Sequence, residues 1–270
     1  MVRIGEALGD VDTLDRLASG GAAVHRLDPR AKVIATALYL ITVVSFSRYE
    51  VAELLPLAIF PAALLVGARV PGRIVLRYLL AASPFAVLLG VFNIFLDRRI
   101  VAEWGPLAVS GGWMSFLSML VRFLLTVSGA LALLACTGFL STCAALGRMG
   151  MPRLLVMQFM LLYRFIFVLL DEAARMVRAR DLRAVGGRGR SIRVWGSLAG
   201  HLLLRAYDRG LRVHQAMLAR GFDGTIRSSR VFRWSAADTA FLAVWVTGLA
   251  AARFGHVAER LGQWLTGSVG

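Results

Sequence analysis

Residues 154–170 read LLVMQFMLLYRFIFVLL, and the chain runs on without a break into DEAARMVRARDLRA at 171–184. This apolar run of 17 residues is near the lower limit for a helix that crosses a bilayer, and Arg164 lies near its centre. A central arginine costs about 2.5 to 3.5 kcal/mol on insertion. Crossing would also export most of the positive charge, because Arg148 to Arg233 holds 17 of the 31 basic residues, and short basic segments stay on the cytoplasmic side. Both arguments favour a helix that is tilted or packed along the cytoplasmic half of a bundle and continues into a polar helix from Asp171 to Ala184.

Around this stretch the chain is apolar enough to live in lipid. Of its 270 residues 58% are hydrophobic and the mean hydropathy is +0.68, well above a soluble average of roughly 45 to 50% apolar residues. Apolar runs extend over Val33–Phe46, Val51–Gly67, Ile74–Leu96, Trp113–Phe139 and Ala236–Ala252. Ser47-Arg48-Tyr49-Glu50 separates the first two as a hairpin tip. The first run is short and is expected to use Arg30 and Lys32 as snorkelling ends. Arg69-Val70-Pro71-Gly72-Arg73 makes the next turn, Pro84 predicts a kink near Ser83, and Asp97-Arg98-Arg99 to Pro106 forms a loop. Arg122 falls inside the fourth run, where it either faces the bundle or snorkels to an interface.

The fold class that follows is an all-α polytopic membrane bundle of five crossings, or six if 154–170 inserts. Its divisions are a cytoplasmic N-terminal segment (1–31), four transmembrane helices (32–140), a membrane-associated cytoplasmic region (141–235) and a final span with its tail (236–270). Arg26, Arg30, Lys32, Arg69, Arg73, Arg148 and Arg153 gather on one side, against Arg48, Arg98 and Arg99 on the other. This bias predicts a cytoplasmic N-terminus. Met1 to Ala31 has no continuous apolar core, so a cleavable signal in its usual form is not expected.

Charge and composition also exclude chemistries. The net charge of +15 could suit nucleic acid, but no recognition module accompanies the arginines, and no nucleic-acid partner is expected. Lys32 is the only lysine and follows no glycine loop, so the chain has no phosphate-binding loop of its own. Cys136 and Cys143 form no C-x-x-C, and His25, His201, His214 and His256 show no ligand spacing, so neither a metal site nor a catalytic residue is expected.

Two arginine-rich helical stretches remain. Taking 100° per residue, Arg205, Arg209, Arg212, Ala216 and Arg220 form one stripe, while Tyr207, Leu211, His214 and Leu218 form a face expected to pack on a neighbouring helix. Gly221 stands where a helix commonly ends. The preceding helix presents Arg175 and Arg178, reaches Ala179-Arg180-Asp181 and breaks at Gly186-Gly187-Arg188-Gly189-Arg190. An arginine beside a small alanine can enter a groove and bond carboxylates in pairs, so two such ends suggest a partner with two equivalent grooves. The alternative role for the stripe is attraction to anionic lipid, worth about 1 kcal/mol per residue.

Over nearly its whole length the chain resembles the transmembrane coupling (T) components of energy-coupling-factor transporters. Ala219-Arg220-Gly221 is similar to that family's Ala-Arg-Gly coupling motif, and Ala179-Arg180-Asp181 resembles its first copy with aspartate in place of the usual glycine or serine. His25-Arg26-Leu27-Asp28-Pro29-Arg30-Ala31-Lys32 and Tyr163-Arg164-Phe165-Ile166 look most like the CbiQ branch, which serves cobalt and related nickel uptake. The resemblance implies a non-catalytic subunit in a prokaryotic cell membrane. It also implies that the two motifs bind a dimer of ATPase subunits, which carry the ATP and magnesium, while a separate CbiM-like membrane subunit captures the substrate. Arg175, Arg178, Arg205, Arg209 and Arg212 would support the docking. Competing readings are a self-sufficient secondary transporter or channel using Arg122 and Arg164, and a membrane enzyme. The first would show polar spans or repeats and the second a convergent constellation, and neither pattern is evident.

Overall fold

The computed structural model describes residues 23–47, 51–96, 100–104, 107–183, 191–224 and 232–254. The expected breaks at Arg48–Glu50, Asp97–Arg99 and Gly186–Arg190, and most of the N-terminal segment, lie outside these. In order come α1 (Ala23–Arg26), α2 (Pro29–Ser45), α3 (Val51–Leu54), a 3-10 turn (Leu55–Ala58), α4 (Ile59–Gly67) and α5 (Gly72–Leu96). A short antiparallel hairpin of β1 (Ile100–Trp104) and β2 (Leu107–Ser110) follows, the one departure from helix among the described elements. Then come α6 (Gly111–Thr137), α7 (Phe139–Arg148), α8 (Arg153–Arg183), α9 (Ile192–Ala219) and α10 (Ala236–Phe254). The described chain divides into two compact units, residues 23–142 with 232–254, and residues 143–224.

The first unit is an all-α bundle organised on α6. Along α6 the residues Ser115, Ser118, Leu125, Ala132 and Cys136 are buried, alternating in steps near three and four with Arg122 and Gly129. Most are small, as suits helices that must approach closely in lipid, where packing rather than water exclusion holds them together. The facing helix α2 carries the larger partners Lys32, Thr36, Tyr39, Val43 and Phe46 at the complementary spacing. The two run antiparallel: Lys32 Nζ donates to the Cys136 carbonyl (3.0 Å), Tyr39 OH to the Leu125 carbonyl (3.2 Å), and Arg122 to the Phe46 carbonyl (3.0 Å). A Cβ on Gly129 would lie 2.7 Å from the Tyr39 ring, so only glycine admits that ring. Tyr39 stacks on Phe60 of α4 (4.5 Å), and Trp245 of α10 meets Phe60 edge-on (4.7 Å).

Both ends of this pair are capped by cations. The break after α6 at Gly138 (φ +78°) frees the Cys136 carbonyl, which accepts from both Lys32 Nζ and His25 Nδ1 (3.1 Å). Lys32 is only 1% exposed, so it does not snorkel as expected from its place at a span end. A helix terminus inside the bundle outcompetes water for it. At the other end Arg122 reaches the carbonyls of Phe46 and Ser47, and Arg253 lies over the Phe46 ring (4.9 Å). Arg122 therefore faces the bundle and closes the last turn of α2 rather than lining a pathway.

Asp238 ties α10 to α2. One of its oxygens accepts from the Asp28 backbone N–H (2.7 Å), and the other from the Ser235 N–H (2.7 Å) and hydroxyl (2.9 Å). At the start of α10 Asp238 makes the return half of a capping box with Ser235, while Asp28 caps α2 through the Arg30 N–H (2.9 Å). Pro84 does not end α5. It removes the N–H that would bond the Leu80 carbonyl, and the Ser83 hydroxyl bonds that carbonyl instead (2.9 Å).

Four of the described helices are long and apolar enough to cross a membrane: Gly72–Phe92, Gly112–Thr137, Arg153–Arg183 and Ala236–Phe254. This differs from the expected set. α2 has 17 residues, at the lower limit for a span, and the Val51–Gly67 run is interrupted by the 3-10 turn containing Pro56, whereas α8 qualifies through its apolar first half. The chain is a multi-pass membrane protein.

The turn after α4 holds a non-glycine residue in the left-handed region. The N–H of Arg69 (φ +54°) bonds the Val66 carbonyl and that of Val70 bonds Leu65, closing a Schellman turn that glycine normally makes. Arg69→Gly is expected to raise stability by about 1 kcal/mol, read as a higher Tm in detergent. A lower Tm would show that the side chain stabilises more than its backbone costs.

Candidate functional site

The second unit is dominated by α8 and α9, which lie side by side and antiparallel. The Arg180 guanidinium sits 4.3 Å over the Trp195 ring near one end, Glu172 bonds Arg205 further along, and Met157 and Leu161 share a pocket with Val213 and Met217 towards the other end. Ala179-Arg180 and Ala219-Arg220 therefore stand near opposite ends of one helical hairpin. At 1.5 Å per residue, Trp195 and Arg220 are about 40 Å apart along α9.

The end of α9 is built by sequence. Arg220 is the C-cap, Gly221 (φ +75°) bonds the Leu218 carbonyl (2.9 Å), and the Phe222 N–H bonds Met217 (3.1 Å). This is a Schellman stop, and Phe222 and Met217 line the same pocket, as its usual apolar contact requires. Arg220 and Ala219 are exposed. The Gly at 221 thus has a backbone reason, and the arginine before it has no side-chain partner among the described residues.

Ala179-Arg180-Asp181 is different. It lies one turn inside α8, which ends at Arg183, and its Arg180 side chain is 17% exposed rather than projecting freely. Asp181 Oδ1 accepts from Arg180 Nε (3.0 Å) and Nη2, Trp195 covers the guanidinium plane, and the buried Nη1 has no partner among the described residues. Asp181 itself is exposed, so the aspartate that replaces the usual small residue engages the neighbouring arginine.

The faces of α9 are not those expected. The seam against α8 is half-buried Val194, Leu198, Leu202, Ala206, Val213 and Met217, whereas Tyr207 (65% exposed), Leu211 and Leu218 face outward. The basic stripe does not all point away either: Arg205 is paired with Glu172, and Arg209 and Arg212 line a small cavity with Val168 and Leu169. α9 has apolar residues on two faces, and Tyr207, Leu211 and Leu218 made the outward one look like the seam. Glu172 also bonds Arg175 (2.5 Å). Arg178 is exposed.

On the apolar half of α8, Leu154, Leu155, Phe159, Leu162 and Ile166 are exposed at helical spacing. With the outward face of α9 they make the hairpin apolar on its surface as well as basic at its ends. Among the described residues no group of three or more His, Cys, Asp or Glu could hold a metal ion.

Comparison with known proteins agrees with the helical layout. Residues 20–231 match the family model CbiQ, described as cobalt transport protein. An uncharacterized protein of Methanocaldococcus jannaschii is 31% identical over 214 residues, covering 76% of this chain and 78% of that protein. The energy-coupling factor transporter transmembrane protein EcfT of Ruminiclostridium cellulolyticum is 26% identical over 233 residues, 81% of this chain and 86% of the relative. The cobalt transport protein CbiQ of Rhodobacter capsulatus is 35% identical over 85 residues, 31% of this chain and 35% of its own. The chain belongs to the CbiQ family, among the transmembrane proteins of energy-coupling-factor transport.

Proposed function

We propose that this chain is the coupling subunit of an ATP-driven importer of cobalt or a related metal ion such as nickel. It carries motion from an ATPase dimer, which holds the ATP and magnesium, to a separate substrate-binding membrane subunit of the CbiM type. The observation that carries the reading is the placement of two Ala-Arg sequences near opposite ends of one antiparallel hairpin. A spacing of about 40 Å is too wide for one groove and suits two grooves on a two-subunit partner. The exposed Arg220 offers a planar fork of donors to carboxylates, and the small Ala219 lets the helix end approach closely. The outward apolar face of α9, with Tyr207, Leu211 and Leu218, and that of α8 supply a surface on which a membrane subunit could ride. With a cytoplasmic N-terminus, the basic hairpin ends face the compartment that holds ATP.

The test is a pull-down of the tagged chain from mild detergent, comparing wild type with an Arg180→Ala, Arg220→Ala double variant and identifying partners by mass spectrometry. ATPase subunits should come with wild type alone. If none comes with either protein while both remain monodisperse, the coupling reading falls. Uptake by the chain alone would favour a self-sufficient transporter.

A further inference from the structure

Between the polar half of α8 and the first half of α9 lies a cavity of about 670 Å³, lined by Arg175, Arg180, Arg183, Arg205, His201 and Ser197 together with the carboxylate of Glu172. We propose that it is a binding site for a phosphate-bearing anion. This does not rest on the coupling role, since every group belongs to this chain, although Arg180 is common to both.

The lining has more positive charge than it can neutralise. Among the described residues Glu172 is the only carboxylate on the wall, and both its oxygens are already engaged, one by Arg175 and one by Arg205. Asp181, outside the wall, holds Arg180 through Nε and Nη2, and among the described residues nothing bonds the buried Nη1. Arg183 has no acidic partner among the described residues. Four arginines against two acids leave two positive charges unbalanced, which matches a phosphate monoester or a diester with a further anionic contact. The Trp195 ring fixes the plane of Arg180, so its free edge is already oriented, as two-point recognition of a tetrahedral oxyanion requires. The Ser197 hydroxyl can donate to the same group. The volume falls in the usual range for small-molecule sites, about 300 to 1,000 Å³.

The same chemistry has two sources. The apolar run of α8 ends at Leu170, so the cavity opens where an apolar helix surface gives way to a basic one. An anionic lipid headgroup and a free phosphate therefore both meet the geometry.

The experiment uses the full chain, purified in neutral detergent without an ATPase. One arm titrates inorganic phosphate and follows the Tm. The other equilibrates the protein with phosphatidylcholine vesicles, with and without phosphatidylglycerol, and counts retained lipid by native mass spectrometry. Saturable binding should appear in at least one arm and weaken about ten-fold in an Arg180→Gln, Arg183→Gln variant, the loss expected for one charge-assisted contact. Arg183→Lys should restore part of it if charge alone suffices. Should the double variant fail to fold, Ser197→Glu, on an exposed helix position, should block the site by supplying a carboxylate inside it. A phosphate-only response assigns the site to a free anion, and retention of phosphatidylglycerol alone assigns it to lipid. Absence of binding in both arms, or binding indifferent to the folded variants, overturns the proposal. A failed ATPase pull-down would leave this result unchanged.

Discussion

On the proposed coupling role, Arg220→Ala alone is expected to abolish ATP-driven metal uptake while the protein still inserts and folds. The argument rests on where the arginine sits. It is the exposed C-cap of α9, and the hydrogen bonds that stop the helix run from the backbones of Gly221 and Phe222, so alanine leaves the turn intact. An arginine at the centre of a docking groove typically contributes about 2 to 4 kcal/mol, which is some 30-fold to 1,000-fold in partner affinity. Titrating purified ATPase onto the variant reads that loss directly, and uptake in cells reads its consequence. Gly221→Ala makes an informative companion, because it keeps the guanidinium but strains a backbone at φ +75°. Wild-type affinity and uptake in Arg220→Ala would sink the coupling role of this residue.

Asp238→Ala is the substitution expected to cost most stability. The carboxylate is 1% exposed and receives three hydrogen bonds, from the N–H of Asp28 and from the N–H and hydroxyl of Ser235. Removing it leaves buried or half-buried donors unmatched at the point where the starts of α2 and α10 meet. With about 1 to 3 kcal/mol for each orphaned buried donor, a total near 3 kcal/mol is expected. Asp238→Asn, which keeps an acceptor oxygen, should lose less than half of that. Thermal unfolding in detergent separates the two, and equal Tm values for Asp238→Ala and wild type would show the network to be energetically idle.

The membrane helices were legible because hydropathy is a property of continuous sequence. Gly112–Thr137 and Ala236–Phe254 follow the apolar runs closely. What could not be read is whatever depends on residues far apart. Lys32 looked like a span-end charge, and its role appears only when a carbonyl 104 positions away is freed by Gly138. The Ser235-x-x-Asp238 spacing is a local helix-start signal, but the bond from Asp238 to the Asp28 N–H gave none, because that partner lies 210 positions away. The stop at Arg220-Gly221 was legible from glycine chemistry and from family resemblance. The seam of α9 was not, since two apolar faces on one helix give a wheel two equally good answers and only the neighbouring helix chooses between them. Asp181 was noticed as a departure, but that it clamps Arg180 needed Trp195 in place across the hairpin.

α9 has no fully buried residue along its 28, and α8 has one, Met160. Helices joined so lightly resist bending along their axes but offer little resistance to rotation about each other. The exposed Glu172–Arg205 pair and the Arg180 guanidinium over Trp195 join the two helices, whereas Glu172–Arg175 lies within α8. On the coupling role proposed above, a push at the Arg220 end would be carried to the Arg180 end with almost no packing to be undone, so the work done on one end would reach the other instead of being spent on deforming a core.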